Sequence, residues 1–292
     1  MASDEGSAVS WREWNEVEAS AWVRAPRSDD DKYTRGVLGV ITGSASYPGA
    51  AVLGVEAAVR AGAGMVRYLG DQRPSGLVLS ARPEAVTKPG RVQAWLIGSG
   101  TDAAERDDAA RERIEHALGD GVPLVLDAGA LDLAPRAPAT TVLTPHAGEL
   151  TTLLAAFGVQ TDRAGVRADP ASSAQHAADL TGCVVLLKGR ITHVVAPRSL
   201  AAPDDVPRAV RVEAPTSWAA TAGSGDVLGG IVGALVAAQS EAVLEEPARL
   251  VAIAATGAWV HARAAELAAD GGPVPALEIA GAAPRIIARL LG

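Results

Sequence analysis

The chain has 292 residues, 48% of them hydrophobic but only 3% aromatic, so a sizeable core has to be built from Ala, Val, Leu and Ile. Lys and Arg number 26 against 34 Asp and Glu, a formal charge of -8, and no basic run is interleaved with aromatics, which argues against a nucleic-acid partner. No apolar run reaches membrane-spanning length, and the N-terminus lacks the basic start and apolar core of a secretory signal, so no membrane partner and a cytoplasmic location are expected.

Residues 1–31 end in Ser28-Asp29-Asp30-Asp31-Lys32, a charged stretch that buries little, and are read as a peripheral arm before a single domain over 32–292. From Arg35 short aliphatic runs alternate with longer Ala-rich ones, the pattern of a sheet with crossover helices. Strands are expected at Val37–Ile41, Met65–Leu69, Ala94–Ile97, Leu124–Leu126, Val142-Leu143, Val184–Leu187 and Thr192–Val195. Helices are expected at Pro48–Ala61, Ala103–Leu118, Gly148–Phe157, Pro170–Leu180, Gly225–Gln239, Pro247–Ala269 and Leu277–Leu291. This alternation predicts an α/β fold, a three-layer α/β/α sandwich. The single cysteine, Cys183, opens an apolar run and is expected to be a packed thiol.

Ala222-Gly223-Ser224-Gly225-Asp226 runs straight into an apolar helix. Gly223 and Gly225 allow a sharp turn and close approach to a ligand, and the free N–H groups of a helix N-terminus stabilise an anion, so residues 223–225 are a candidate anion hole. Asp226 in that first turn is either a charge partner of the helix dipole or a general base. The spacing fits neither a P-loop nor a dinucleotide-binding GxGxxG.

In Leu143-Thr144-Pro145-His146-Ala147-Gly148-Glu149 a strand ends and a helix begins, a usual place for ligands in open α/β sheets. His146 and Glu149 lack a third metal ligand, so His146 is read as a substrate contact or a cap, and no protein-held metal is expected. Lys188-Gly189-Arg190-Ile191-Thr192 is a hairpin tip, either solvated or holding a nucleotide phosphate. Two further glycine turns surround Ala50 and Gly100, and Asp127 ends a strand as a turn former or a ligand-positioning carboxylate.

Taken in order, the segments around Ala50, Gly100, Asp127, His146, Lys188 and Asp226 resemble the ADP/ATP-dependent NAD(P)H-hydrate dehydratases, a branch of the ribokinase-like superfamily, from about Lys32 to the C-terminus. The resemblance implies a ribokinase-like fold with a mostly parallel central sheet. It implies that Asp226 activates the substrate hydroxyl, that Lys188, Gly189, Arg190, Ile191, Thr192 and Gly225 contact the adenine nucleotide, and that Ala50, Gly100 and His146 border the hydrated nicotinamide nucleotide. The implied reaction uses ADP or ATP, with Mg2+ on its phosphates, to dehydrate the S-form of NADH or NADPH hydrate. A homo-oligomer, a tetramer by resemblance, and a separate epimerase acting on the other hydrate stereoisomer are also implied, since about thirty residues ahead of the core do not encode an epimerase domain. The sequence departs from the family at Ser99, where a Pro is usual, and over Pro215–Gly223, where a glycine-rich GNPGMATGG lead-in is usual. The alternatives are a small-molecule kinase of the same fold, acting on a hydroxymethylpyrimidine, thiazole or sugar, and a catalytically silent metabolite-binding regulator.

Overall fold

The computed structural model describes residues 10–292. In chain order they form β1 (Arg12–Glu13), α1 (Glu16–Ser20), β2 (Val37–Ile41), α2 (Pro48–Arg60), β3 (Met65–Tyr68), α3 (Gln72–Ala81), β4 (Ala94–Ile97), α4 (Asp108–Gly119), β5 (Leu124–Leu126), β6 (Thr141–Leu143), α5 (Ala147–Ala156), α6 (Arg163–Ala168), α7 (Pro170–Thr181), β7 (Val184–Leu187), β8 (Ile191–Val195), β9 (Ala209–Glu213), α8 (Ser224–Ala238), α9 (Ser240–Glu245), α10 (Leu250–Ala269) and α11 (Ala276–Leu291). The strands make one sheet in the order β1-β9-β8-β7-β6-β5-β4-β2-β3. Only β8 runs against the rest, pairing antiparallel with both β7 and β9.

Alternation along each strand feeds two cores. Leu38, Val40, Leu96, Val125, Val142 and Leu186 face α2, α8, α10 and α11, where Val55, Ile231, Val232, Ile253 and Ile279 are buried. Val37, Ile41, Trp95, Ile97, Leu126 and Leu187 face α4, α5 and α7, against Ile114, Leu150, Leu153 and Ala177. The result is the expected three-layer α/β/α sandwich with a mostly parallel sheet. The small side chains of α8 and α10 let nearly whole helices be enclosed, which suits a chain with few aromatic rings.

Most strands and helices foreseen from the pattern are present, with three corrections. Of the arm expected over residues 1–31, residues 1–9 lie outside the described residues, while its middle is docked on the domain and residues 24–29 are exposed: Arg12-Glu13 pairs in parallel with β9, and Trp14 is buried with its Nε1–H donating to Thr256 Oγ1 at 3.3 Å. The charge of residues 28–32 conceals the anchoring apolar residues Trp14 and Ala19. The helix expected over Ala103–Leu118 is a 3-10 turn at Ala103–Glu105 followed by α4, because Asp107 accepts from the Ala110 N–H at 2.7 Å and starts a new helix. β9 was hidden because Arg211 interrupts its apolar run. Cys183 is buried, as expected, and burial pushes its thiol up to about 12.

Candidate active site

Five parallel strands end on the same edge, and their register sets the site. Ile41 lies opposite Ile97, Ile97 opposite Leu126, and Leu126 opposite Leu143. The residues that follow, Thr42, Gly98, Asp127 and Thr144, therefore form a row, and a bridge between His146 and Lys188 extends it to β7. This is the carboxyl-end crevice where open α/β sheets bind ligands.

Asp127 is the hub of that row. Its carboxylate is 3% exposed and accepts from Ser99 Oγ at 2.7 Å, Thr144 Oγ1 at 2.8 Å and Lys188 Nζ at 2.7 Å. Burial alone raises a carboxyl, but the Lys188 ammonium and the two hydroxyls outweigh it and hold Asp127 below the usual carboxylate range. Lys188, in turn, loses by burial and gains from Asp127, Glu149 and Asp226, with a net upward shift. Glu149 Oε2 lies 3.6 Å from Nζ. A Cβ on Gly225 would sit 3.6 Å from the same Nζ, so the ammonium faces the start of α8.

That helix start has no side-chain cap, because the N-cap is Gly223 in the left-handed region at φ 87, where an L side chain is strained. Two first-turn N–H groups, those of Gly225 and Asp226, therefore stay open to an anion. Of the three residues expected in the anion hole, Ser224 departs: its N–H donates to the Thr221 carbonyl at 3.2 Å and its hydroxyl lies 3.0 Å from His261 Nε2. Asp226, half-buried in the same turn, has its carboxyl pushed up to about 6, chiefly by burial and then by the negative Asp127, with Lys188 and Ser99 opposing. A carboxylate near that value exchanges protons readily at neutral pH.

His146 is the N-cap of α5. Its Nδ1 accepts from the Gly148 and Glu149 N–H groups at 3.1 and 3.0 Å, and Glu149 Oε2 accepts from the His146 N–H at 2.8 Å, a capping box. With Nδ1 accepting, the ring hydrogen falls on Nε2, which lies 3.4 Å from Glu149 Oε1 on an exposed side chain. The structure thus turns the His146 and Glu149 pair into a helix start rather than two residues on one helical face. Among the described residues, no group of three or more His, Cys, Asp or Glu stands together to hold a metal.

Ala50 and Gly100 meet on the other side of the turn: a Cβ on Gly100, whose φ is 67, would stand 2.5 Å from the Ala50 Cβ. Beside them opens a cleft lined by Gly43, Ser44, Thr101, Asp102, Arg106 and Arg113. The hairpin expected at Lys188–Thr192 is the β7–β8 connection, with Ile191 exposed and Arg190 Nε donating to the Ala214 carbonyl at 3.0 Å. The Arg190 guanidinium therefore leans toward β9, 3.4 Å from Glu213, while Lys188 faces inward. His261 and the link from Glu149 to Lys188 were not foreseen. A lone histidine inside the apolar helix Leu250–Ala269 is the one signal that points to His261.

The sequence profile of the NAD(P)H-hydrate dehydratases matches residues 38–285. The chain belongs to this family. It is 43% identical over 232 residues to the bifunctional NAD(P)H-hydrate repair enzyme Nnr of Mycobacterium tuberculosis, covering 75% of this chain and 44% of that protein. It thus spans about half the length of the bifunctional relatives it matches. It is also 34% identical over 278 residues to the ADP-dependent (S)-NAD(P)H-hydrate dehydratase of Neisseria meningitidis serogroup B, covering 88% of this chain and 86% of that one. In fold it matches the ADP/ATP-dependent NAD(P)H-hydrate dehydratase of Bacillus subtilis co-crystallized with ATP/Mg2+, with a TM-score of 0.80 at 24% identity over 97% of this chain and 100% of that one. A ribokinase-like superfamily protein of Enterococcus faecalis matches with a TM-score of 0.78 at 20% identity over 96% of each chain. The fold is ribokinase-like, as the motifs implied. No helix among the described residues is long and apolar enough to cross a membrane.

Proposed function

We propose that this chain dehydrates the S-form of NADH or NADPH hydrate, using ADP or ATP as phosphoryl donor. The observation that carries the reading is the pairing of an uncapped helix N-terminus with a carboxyl raised to about 6 inside its first turn, beside the Lys188 ammonium. Asp226 takes the proton of the C6 hydroxyl while that oxygen attacks the terminal phosphorus of the nucleotide. The bond to the donor's bridging oxygen breaks, releasing AMP from ADP or ADP from ATP. The N–H groups of Gly225 and Asp226 and the ammonium of Lys188 stabilise charge on the transferring phosphoryl group. The ring nitrogen lone pair then expels phosphate from C6, and loss of the C5 proton restores the dihydropyridine.

His146, through Nε2–H, and the Ala50–Gly100 wall are assigned to the hydrated nicotinamide, and Lys188–Thr192 with Gly225 to the nucleotide. Mg2+ would supply charge neutralisation on the nucleotide phosphates; Asp127, the buried carboxylate of the row, is already engaged by Lys188, Ser99 and Thr144. The Neisseria relative, an ADP-dependent (S)-NAD(P)H-hydrate dehydratase matched over most of its length, supports the S-form as substrate and ADP as donor; a cytoplasmic location, a homo-oligomer and pairing with an epimerase that supplies the S-form belong to the same proposal.

The test is incubation of the pure chain with hydrated NADH and ADP or ATP with Mg2+, following dihydronicotinamide absorbance and the phosphorylated products. Recovery of absorbance with release of inorganic phosphate is expected. A stable phosphate ester would mark a kinase, and nucleotide binding without turnover a silent binding protein.

A further inference from the structure

A helix N-terminus is ordinarily held by a capping side chain, which occupies the very N–H groups an anion would use. At α8 that solution is absent: the N-cap is a glycine, Gly225 follows one residue into the helix, and no side chain caps the turn. Two glycines and open N–H groups leave the first turn soft unless it is fixed from behind. Ser224 supplies the attachment point. It is 7% exposed, its N–H is closed on Thr221, and its hydroxyl has one partner, His261 Nε2 at 3.0 Å.

His261 sits on α10, directly after the buried run Leu250–Val260. The buried polar residue of that helix, Thr256, is accounted for by Trp14, and His261 is half-buried at the end of the enclosed run. An imidazole in this position costs free energy unless it is paired, and Ser224 is the pairing it makes.

We propose that His261 is a positioning residue for phosphoryl transfer: through the Ser224 hydroxyl it anchors the first turn of α8 from beneath, so that the Gly225 and Asp226 N–H groups and the Asp226 carboxylate keep their places with the anion face left open. The proposal rests on the reading of the site as a phosphoryl-transfer centre. Burial pushes the imidazole down to about 4, so the anchor is neutral at working pH and does not itself compete for phosphate.

The experiment compares full-length wild type with Ser224→Ala, His261→Leu, the double variant, and His261→Gln, whose amide reaches the same hydroxyl. Hydrate turnover and amide hydrogen exchange over residues 223–227 are both measured. Ser224→Ala and His261→Leu should each lower kcat about 10- to 100-fold, since small displacements of a reacting geometry cost that much. KM for the nucleotide should change far less. The double variant should be no worse than the poorer single one, because the pair acts as a unit. His261→Gln should recover most of the rate. Exchange at 223–227 should accelerate in both single variants and return toward wild type in His261→Gln.

Multiplying losses in the double variant, wild-type kcat in His261→Leu, or unchanged exchange at 223–227 would overturn the proposal. Wild type that exchanges as expected but never restores dihydronicotinamide would instead overturn the functional reading, and leave the anchoring shown.

Discussion

Replacing Asp226 by Asn removes the proton acceptor and its charge at almost constant volume. In the folded chain the Asp226 carboxyl lies at about 6, against an ordinary 3.8. Below 3.8 both the folded and the unfolded chain carry the proton. Between the two values the folded chain holds it more tightly, and as pH rises through about 6 the fold loses that advantage and bears the cost of a part-buried carboxylate. The difference between the two values is worth about 3 kcal/mol, and the partial exposure of the side chain discounts it to about 1–2 kcal/mol. Asp226→Asn should therefore melt higher than wild type at pH 8, by about 2–6 °C for a chain of this size, and the gain should vanish by pH 4. Turnover should fall by about a hundred- to ten-thousand-fold, the usual loss for a general base. A carboxylate that served only the helix dipole has the opposite sign: its removal should lower stability by about 0.3–1 kcal/mol and spare turnover. Melting curves from pH 4 to 8 and dihydronicotinamide recovery on one preparation decide between them. A variant less stable at pH 8 with near-normal turnover would refute the assignment.

Asp127→Ala strips the nearest carboxylate from the half-buried Lys188, leaving it the longer contact to Glu149 at 3.6 Å, and should cost about 3 kcal/mol in urea denaturation; the native contribution should persist above pH 3.8 and disappear as pH falls through the lower folded value of Asp127. His146→Asn keeps a capping side chain on α5 but removes the exposed ring and its Nε2–H beside Glu149 Oε1, so the melting temperature should hold within about 2 °C while KM for the hydrate rises and nucleotide affinity by calorimetry is unchanged. Gly100→Ala forces a methyl group to 2.5 Å from the Ala50 Cβ at a positive φ, and should weaken hydrate binding and lower stability by about 1–3 kcal/mol, with nucleotide affinity again spared.

The architecture was legible because the strands are short aliphatic runs separated by Ala-rich helices with proline or glycine at their ends. Pro48 and Pro170 begin α2 and α7, and Gly182 in the left-handed region closes α7. Edge elements were not legible. β1 is two charged residues, and its place on β9 follows from Trp14 finding the wall of α10, a long-range event that no local period records. α3 and α6 are short and carry few buried residues, so their apolar pattern is faint. At the site, residues that sit at strand or helix ends within glycine turns stood out locally: Gly100, Asp127, His146, Lys188 and Asp226. What could not be read was which partner each would take, because Asp127 meets Lys188 across 61 positions and Ser224 meets His261 across 37.

Those long-range partners explain why two aspartates that act electrostatically on the same lysine behave differently. Asp127 is the more deeply buried and on that ground alone should be the harder to ionise, yet three donors converge on it and keep it charged. Its charge is then a fixed negative neighbour for Asp226, which lacks comparable donors and is driven upward by burial and by Asp127 together. Environments that separate the proton affinities of paired carboxyls are how a site sorts an ion-pair partner from a base. Lys188 is bound into the same logic: held by Asp127 at 2.7 Å, its ammonium lies beside Gly225 and presents a positive charge to the anion position. Losing Asp127 would accordingly loosen Lys188, leaving it the longer contact to Glu149, and lower Asp226 at once, whereas losing Asp226 leaves the Lys188–Asp127 pair in place, and this asymmetry is why Asp127→Ala is expected to damage the fold and Asp226→Asn only the chemistry.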